Sequence, residues 1–267
     1  MKFSDYDVRM KKYEYVTRTY LYTRTPVIIR IDGKSFHSFT RGFEKPFDSV
    51  LVRSMQDTMK YLCANIQGCV LGYTQSDEIS LLLIDYQSLE TTAWFDYNIQ
   101  KCATIAAGTA TMIFNKLFEQ YAKSASGTEP DGEVSDMYKK SIAKGAVFDA
   151  RIFNLPKEEV CNYFLWRQND AVRNSIQMTG HCYFSAKQLH RKSCGDIKEM
   201  LMSEKGIDWN TFPTNYKRGS CCIKTYDEPK DRNVWTIDND IPIFRGEERA
   251  YVDDLLLTDE ERSLKDG

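Results

Sequence analysis

Three acidic residues stand where apolar runs stop. Asp32 lies in Arg30-Ile31-Asp32-Gly33-Lys34-Ser35-Phe36-His37, and Asp77 with Glu78 closes Gly72-Tyr73-Thr74-Gln75-Ser76-Asp77-Glu78. Carboxylates brought together repel unless a cation sits between them. Oxygen-only ligands select a hard ion, usually Mg²⁺, which keeps few protein carboxylates and completes its shell with phosphate and water. The Gly33 carbonyl is a further candidate ligand, because glycine allows close approach of the backbone. Beside it, the successive amides of Lys34-Ser35-Phe36-His37 and the lysine make an anion nest suited to a triphosphate. Phe36 and His37 are candidates for stacking on a base or sugar. The Gly-x-x-x-x-Gly-Lys-Ser/Thr pattern of a P-loop is absent. Taken singly, Asp32-Gly33 reads as a turn and Asp77 as a hairpin tip; only a fold that joins them makes a site.

The order of elements supplies that fold. Pro26–Ile31 is a β-branched, apolar strand stopped by Asp32-Gly33. After a polar loop over Lys34–Lys45, Asp48 is placed to cap a helix whose Leu51, Met55, Met59, Leu62 and Ile66 keep helical spacing. Cys69–Thr74 and Ile79–Ile84 flank Gln75-Ser76-Asp77-Glu78 as a hairpin. A long helix is expected over Leu89–Glu119, with Cys102, Ile105, Ala106, Thr109, Met112 and Ile113 inward, then a loop over 122–141 and a strand over Ala146–Leu155. A helix follows over Glu158–Met178, and a short basic helix precedes the whole at residues 5–19. Strand, helix, strand, strand, helix, strand is the split βαβ, ferredoxin-like order. A right-handed crossover and the hairpin then set the third strand antiparallel beside the first. Asp32 and Asp77, 45 residues apart, meet at one sheet edge.

Composition is that of an ordinary soluble chain: 267 residues, 42% hydrophobic and 28% charged. The net charge of −2 conceals an uneven distribution, since residues 238–267 hold 10 acidic and 4 basic residues and leave a mildly basic body. Such a body admits an anionic ligand. The N-terminal run does not read as a signal peptide, and the densest apolar run, Ile79–Ile84, is far too short to cross a membrane. These features predict a cytoplasmic protein with no membrane partner. The eight cysteines form no Cys-x-x-Cys pair and read as reduced core thiols. His181 and His190 lie near Cys182 and Cys194 at spacings that fit no standard zinc pattern.

The Arg30–His37 and Gly72–Glu78 runs, with Lys45-Pro46-Phe47-Asp48, Trp166-Arg167-Gln168-Asn169-Asp170 and Tyr216-Lys217-Arg218-Gly219, resemble in order and spacing the motifs of the tRNA-His guanylyltransferase family over roughly residues 5–235. The resemblance implies an α+β fold: a ferredoxin-like polymerase palm, with a βαββαβ antiparallel sheet and helices on one face, plus a mainly helical C-terminal extension. It divides the chain into a palm-like catalytic region 1–155, a helical, tRNA-contacting extension 156–237 of the same unit, and an acidic tail 238–267. It implies nucleotidyl transfer with two Mg²⁺ ions, GTP, ATP and other nucleoside triphosphates as substrates, tRNA as partner, and a homotetramer built as a dimer of dimers. By matching positions, Asp32, Gly33 and Asp77 would hold metal, with Asp32, Asp77 and the weaker candidate Glu78 catalytic. Gly33, Lys34, Ser35, Phe36, His37 and Ser76 would join the two aspartates in binding the nucleotide. Arg30, Lys45, Lys101, Asn174, Lys217 and Arg218 would meet triphosphate or the tRNA 5′ end. One departure stands out. Where the family carries His-Ile-Asn-Asn-Leu-Tyr-Asn, this chain has Val172-Arg173-Asn174-Ser175-Ile176-Gln177-Met178, retaining only Asn174. Val172 replaces the histidine associated with reading the tRNA-His anticodon. The chain is similar instead to the family's branch that repairs truncated 5′ ends by templated addition.

Two other classes compete: a palm-fold nucleotidyl cyclase or cyclic-dinucleotide synthase, and a non-catalytic tRNA-binding module. Synthases often carry Gly-Gly-Asp-Glu where this hairpin has Gln75-Ser76-Asp77-Glu78. A binding module has no need of paired aspartates beside a Lys-Ser nest.

Overall fold

Alternation along the central strands decides what each face of the sheet meets. In the computed structural model, which describes residues 4–126 and 134–266, β1 spans Val27–Gly33, β2 Cys69–Gln75, β3 Glu78–Leu83 and β4 Phe148–Asn154. The odd residues Val27, Ile29 and Ile31 of β1 and Ile79, Leu81 and Leu83 of β3 enter one buried cluster, and the even residues Ile28 and Leu82 enter another. Both faces are therefore covered, and β3 is buried along its whole length.

The sheet order is β4-β1-β3-β2-β5-β6, with β5 at Ser220–Asp227 and β6 at Arg232–Asp238, and every neighbouring pair is antiparallel. The first four strands keep the expected ferredoxin-like order, and β3 lies beside β1 in register Asp32↔Glu78. The C-terminal segment adds β5 and β6 to the same sheet beside β2, and the extension that carries them is mainly helical, as expected.

Helix α1 covers Asp5–Tyr15 and buries none of its residues. The short α2, Phe36–Phe39, leads to α3, Ser49–Asn65, whose Asp48 cap accepts from the Leu51 amide at 2.9 Å. Helix α3 and α4, Ile99–Ser126, cover the face of Ile29 and Ile31. The expected start of α4 at Leu89 is wrong: Phe95, Asp96 and Tyr97 all have positive φ, and regular helix begins at Ile99. Its inward face is also shifted. Cys102, Ala106 and Ile113 are buried as expected, whereas Ile105 and Met112 are exposed and Ala110, Phe114 and Phe118 fill the inward face instead. The expected loop 122–141 is shorter than predicted, because α4 runs on to Ser126 and α5 occupies Asp136–Lys144; residues 127–133 lie outside the described residues.

Helix α6, Lys157–Tyr183, crosses the opposite face and carries Val160 and Phe164 onto Ile28, Tyr73 and Leu82. Beyond Gly180, α7 (Ala186–Leu189) and α8 (Cys194–Lys205) build a small separate cluster with Ile176, Leu201 and Trp209. Helix α9, Thr214–Arg218, ends at Gly219, whose φ is +87°. A Cβ there would come within 2.5 Å of the Thr74 carbonyl oxygen, so only glycine joins α9 to β5.

The acidic tail docks through Ile241, Phe244, Val252 and Leu256, all buried in the cluster beneath α6, with α10 at Ala250–Asp253 and α11 at Asp259–Asp266. Of Leu255-Leu256-Leu257 only Leu256 is fully buried. Leu256→Ala is expected to lower stability by about 2 kcal/mol, the low end for a leucine truncated in a core. A urea midpoint unchanged from wild type would show that the tail rests on the sheet without stabilising it.

All eight cysteines are free, and six of them are buried. Among the described residues no helix is long and apolar enough to cross a membrane.

Candidate active site

The link between the two aspartates is a backbone bond. The Gly33 amide, at the end of β1, donates to the Asp77 carbonyl at 3.1 Å. Asp77 sits in the two-residue turn between β2 and β3, where Ser76 has a φ of +50° and its hydroxyl donates to Asp77 Oδ1 at 3.0 Å. Asp32, with its side chain 35% exposed, lies opposite Glu78 on the α6 side of the sheet. Burial pushes the Asp77 carboxyl up, and the charge on Asp32 adds to that push. A cation at this edge would relieve both effects.

The donor set suits Mg²⁺ in one particular way. Among the described residues no three His, Cys, Asp or Glu side chains converge as a closed metal cage. Two carboxylates and a backbone carbonyl leave coordination positions for phosphate and water, as Mg²⁺ sites on nucleotides require. Gly33 has a second reason to be glycine: a Cβ there would lie 2.2 Å from the Phe36 ring.

A cleft of about 830 Å³ opens beside this edge. Gly33, Ser35, Phe36, His37, Lys45, Ser76, Asp77 and Asn174 of α6 line it, whereas Asp32 is not among its lining residues. These predicted residues are thus brought together. His181 and Cys182 also line the cleft but form no metal cluster.

Other predicted residues are placed differently. The Phe36 ring is buried against Phe39, Phe114 and Phe148, so it supports the loop and does not stack on a ligand. The expected nest is narrower than four amides. Gly33 is bonded to Asp77, and the Lys34 amide donates to the Val147 carbonyl at 2.8 Å. The amides of Ser35, Phe36 and His37 remain at the start of α2, where first-turn amides lack helical partners. Lys34 itself is exposed.

Glu78 is buried and receives Arg30 Nη2 at 2.7 Å and Arg167 Nη1 at 2.9 Å, so it is a structural partner of two arginines instead of an open catalytic acid. Burial pushes its carboxyl up against the pull of Arg167 and Arg30. Lys101 lies in a second cleft, with Arg18 and Phe95, and its ammonium sits 4.2 Å over the Phe95 ring. Lys217 Nζ donates to the Asn210 carbonyl at 2.6 Å, and burial and Arg218 pull its pKa down. The Arg218 guanidinium grips the Ile241 carbonyl at 3.0 and 3.1 Å, holding the tail.

Three residues escaped the sequence reading. Asp149 stands opposite Asp32 on β4, exposed, with no turn or motif to mark it. Arg167 and Gln168 stood out only as part of a resembling run. Gln168 straps the tail, donating to the Pro242 carbonyl at 2.8 Å and accepting from the Phe244 amide at 3.3 Å. The available signal was helical spacing: Val160, Phe164, Arg167 and Ala171 fall on one buried stripe, where an unpaired charge has no place.

Residues 7–156 match the family model described as tRNAHis guanylyltransferase. A bacterial tRNA(His) guanylyltransferase (Thg1)-like protein, solved with ATP, is 41% identical with a TM-score of 0.81, over 95% of this chain and 99% of that one. A second such structure, solved with GTP, is 38% identical with a TM-score of 0.78 over the same shares. The tRNA(His) guanylyltransferase of Debaryomyces hansenii is 27% identical over 237 residues, 82% of this chain and 83% of its own.

Proposed function

The chain belongs to the tRNAHis guanylyltransferase (Thg1) family of nucleotidyltransferases, and from that membership we propose that it rebuilds truncated 5′ ends of tRNA, adding nucleotides in the 3′-to-5′ direction as the opposite base directs. The observation that carries this reading is the cleft itself. It gathers the Ser76-Asp77 turn, Ser35–His37 and Lys45 with Asn174 of α6 in one lining. Relatives hold ATP or GTP, and we assign nucleoside triphosphates to this cleft.

The reaction joins the 3′-hydroxyl oxygen of an incoming nucleotide to the 5′ phosphorus of the tRNA and releases pyrophosphate from a triphosphorylated end. A monophosphate end first takes a nucleoside monophosphate from a nucleoside triphosphate, releasing pyrophosphate, and that nucleoside monophosphate is then the group displaced by the 3′-hydroxyl. Such transfer depends on positioning and charge more than on covalent chemistry. Two Mg²⁺ ions held by Asp32, Asp77 and the Gly33 carbonyl would supply a lowered hydroxyl pKa and neutralised phosphate charge. Ser76 holds the Asp77 carboxylate in place through its hydroxyl. Lys45, exposed at the cleft, offers a point charge to phosphate. The Ser35–His37 amides offer fixed donors to phosphate oxygens.

Repair is favoured over tRNA-His-specific addition by Val172. It is half-buried, packed against the Ile176, Leu201 and Trp209 cluster, and offers no hydrogen bond to a base. Phosphate and shape contacts remain, and these carry no sequence information. The same reading makes the protein cytoplasmic and a homotetramer. Helix α1, which exposes Tyr6 and Tyr13, gives a second copy an apolar surface to cover.

The test is a panel of tRNAs lacking their first nucleotide, with each of the four bases opposite the gap, plus Mg²⁺ and labelled nucleoside triphosphates. The added nucleotide should complement the opposite base across several tRNAs. Addition of G whatever the opposite base, or activity confined to the histidine anticodon, would restore the tRNA-His reading. A cyclic product from GTP alone would make the chain a synthase.

A further inference from the structure

Behind the carboxylate edge runs a buried chain of charges that the proposed reaction does not itself use. Arg167, on the sheet-facing stripe of α6, has only 4% of its side chain exposed. Its guanidinium lies 3.5 Å from the centre of the Trp166 ring, and Nη1 donates to Glu78 Oε2 at 2.9 Å. The same carboxylate oxygen receives Arg30 Nη2 at 2.7 Å, and that nitrogen is 3.6 Å from Asp32 Oδ2. Asp170 lies 3.5 Å from Arg167 Nη1 at the outer end and is itself paired with the exposed Arg173. The line Asp170–Arg167–Glu78–Arg30–Asp32 is continuous.

We propose that Arg167 is a positioning residue for the metal-binding edge, acting through Glu78 and Arg30 on the Asp32 carboxylate. The inference rests on the reading of Asp32 and Asp77 as metal ligands. Its physical content is a competition for Arg30. Glu78 and Asp32 both draw on one guanidinium nitrogen. Arg167 supplies Glu78 with a second cation, which leaves Arg30 shared between the two acids and Asp32 held at one angle. Without Arg167, Glu78 takes the whole fork of Arg30, and the Asp32 carboxylate turns free at the sheet edge.

Stability alone does not explain this arrangement. A buried ion pair replaced by well-packed apolar side chains is often no less stable. The network is also incompletely bonded: among the described residues, the buried Arg30 Nε and Arg167 Nε have no hydrogen-bond partner. A fold selected for burial would fill that space with carbon. Two cations around one buried acid, next to the residues that bind metal, instead set the charge and orientation of those residues. Groups that orient metal ligands typically alter metal affinity about 10- to 100-fold when removed.

The experiment uses the full chain. Mn²⁺ binding is read from the electron paramagnetic resonance of the free ion, Mg²⁺ dependence from nucleotide addition to truncated tRNA, and folding from melting temperature. Arg167→Met should weaken Mn²⁺ binding about tenfold and raise the Mg²⁺ needed for half-maximal addition by a similar factor, with saturating Mg²⁺ recovering part of the rate. Arg167→Lys, which keeps the charge but not the planar fork, should fall between the two, and it decides the matter if Arg167→Met does not fold. Lower melting temperature and slower addition with Mn²⁺ affinity within twofold of wild type would make Arg167 a strut between α6 and the sheet, and the proposal wrong. A wild-type protein that binds Mn²⁺ but adds no nucleotide would refute the proposed function, while the shift in Mn²⁺ affinity would still support or overturn the role of Arg167.

Discussion

Asp77→Asn is expected to reduce nucleotide addition about a thousandfold or more, since a ligand charge at the transition state is worth several kcal/mol. The same substitution should leave metal-free stability equal to wild type or slightly higher. Asparagine keeps the shape of the side chain and the acceptor for the Ser76 hydroxyl. What it removes is a charge that the folded state disfavours. Burial and Asp32 raise the Asp77 pKa above its reference value of 3.8. A carboxyl with a raised folded pKa binds its proton more tightly when folded, so folding gains as pH falls through that pKa and loses when the group is ionised. The neutral amide escapes that loss. Rate assays with Mg²⁺ and thermal melts in chelator, on the same preparations, check both halves. Near-native turnover would remove Asp77 from the metal site, and a large fall in melting temperature would make it a structural residue of the turn.

The placement of Asp77 beside the end of β1 was legible in the sequence because it follows from local rules. Strand-terminating Asp32-Gly33, a hairpin tip 45 residues later, and right-handed crossover place the two side by side. The register Asp32↔Glu78 and the bond from Gly33 to Asp77 realise that placement. What escaped the sequence depends on contacts between distant segments. Nothing local in Ser220–Asp227 says that it pairs with Gly72–Thr74, and that pairing brings Cys221 and Cys222 into the cores of the two faces. The start of α4 was lost because Phe95, Asp96 and Tyr97 carry no turn signature. Their left-handed backbone is held from outside, by the Leu21 amide on the Tyr97 carbonyl and the Ile99 amide on the Thr19 carbonyl. Phe36 misled for a related reason. Its neighbours in sequence are polar and loop-like, while its neighbours in space are Phe114 and Phe148.

Glu78 follows Asp77 directly, yet its removal should produce the opposite pattern. Glu78→Ala is expected to cost about 3–5 kcal/mol of stability, the usual loss when one partner of a buried ion pair is deleted. Arginine cannot shed its charge, so Arg167, almost wholly buried, and Arg30, 19% exposed, are left without the acid they share. Arg167 keeps Asp170 at 3.5 Å and Arg30 keeps Asp32 at 3.6 Å, longer contacts to acids more exposed than Glu78, which offset little of the loss. Urea unfolding should register the change at every Mg²⁺ concentration. A Glu78→Ala protein as stable as wild type yet inactive would return Glu78 to the catalytic acids. A double-mutant cycle sharpens the attribution. Adding Arg167→Met to Glu78→Ala removes the more deeply buried of the two stranded cations, so the pair should cost less than the sum of the single changes. Recovered stability without recovered Mn²⁺ affinity would separate the two uses of one network: folding needs its charges balanced, while the metal edge needs them present.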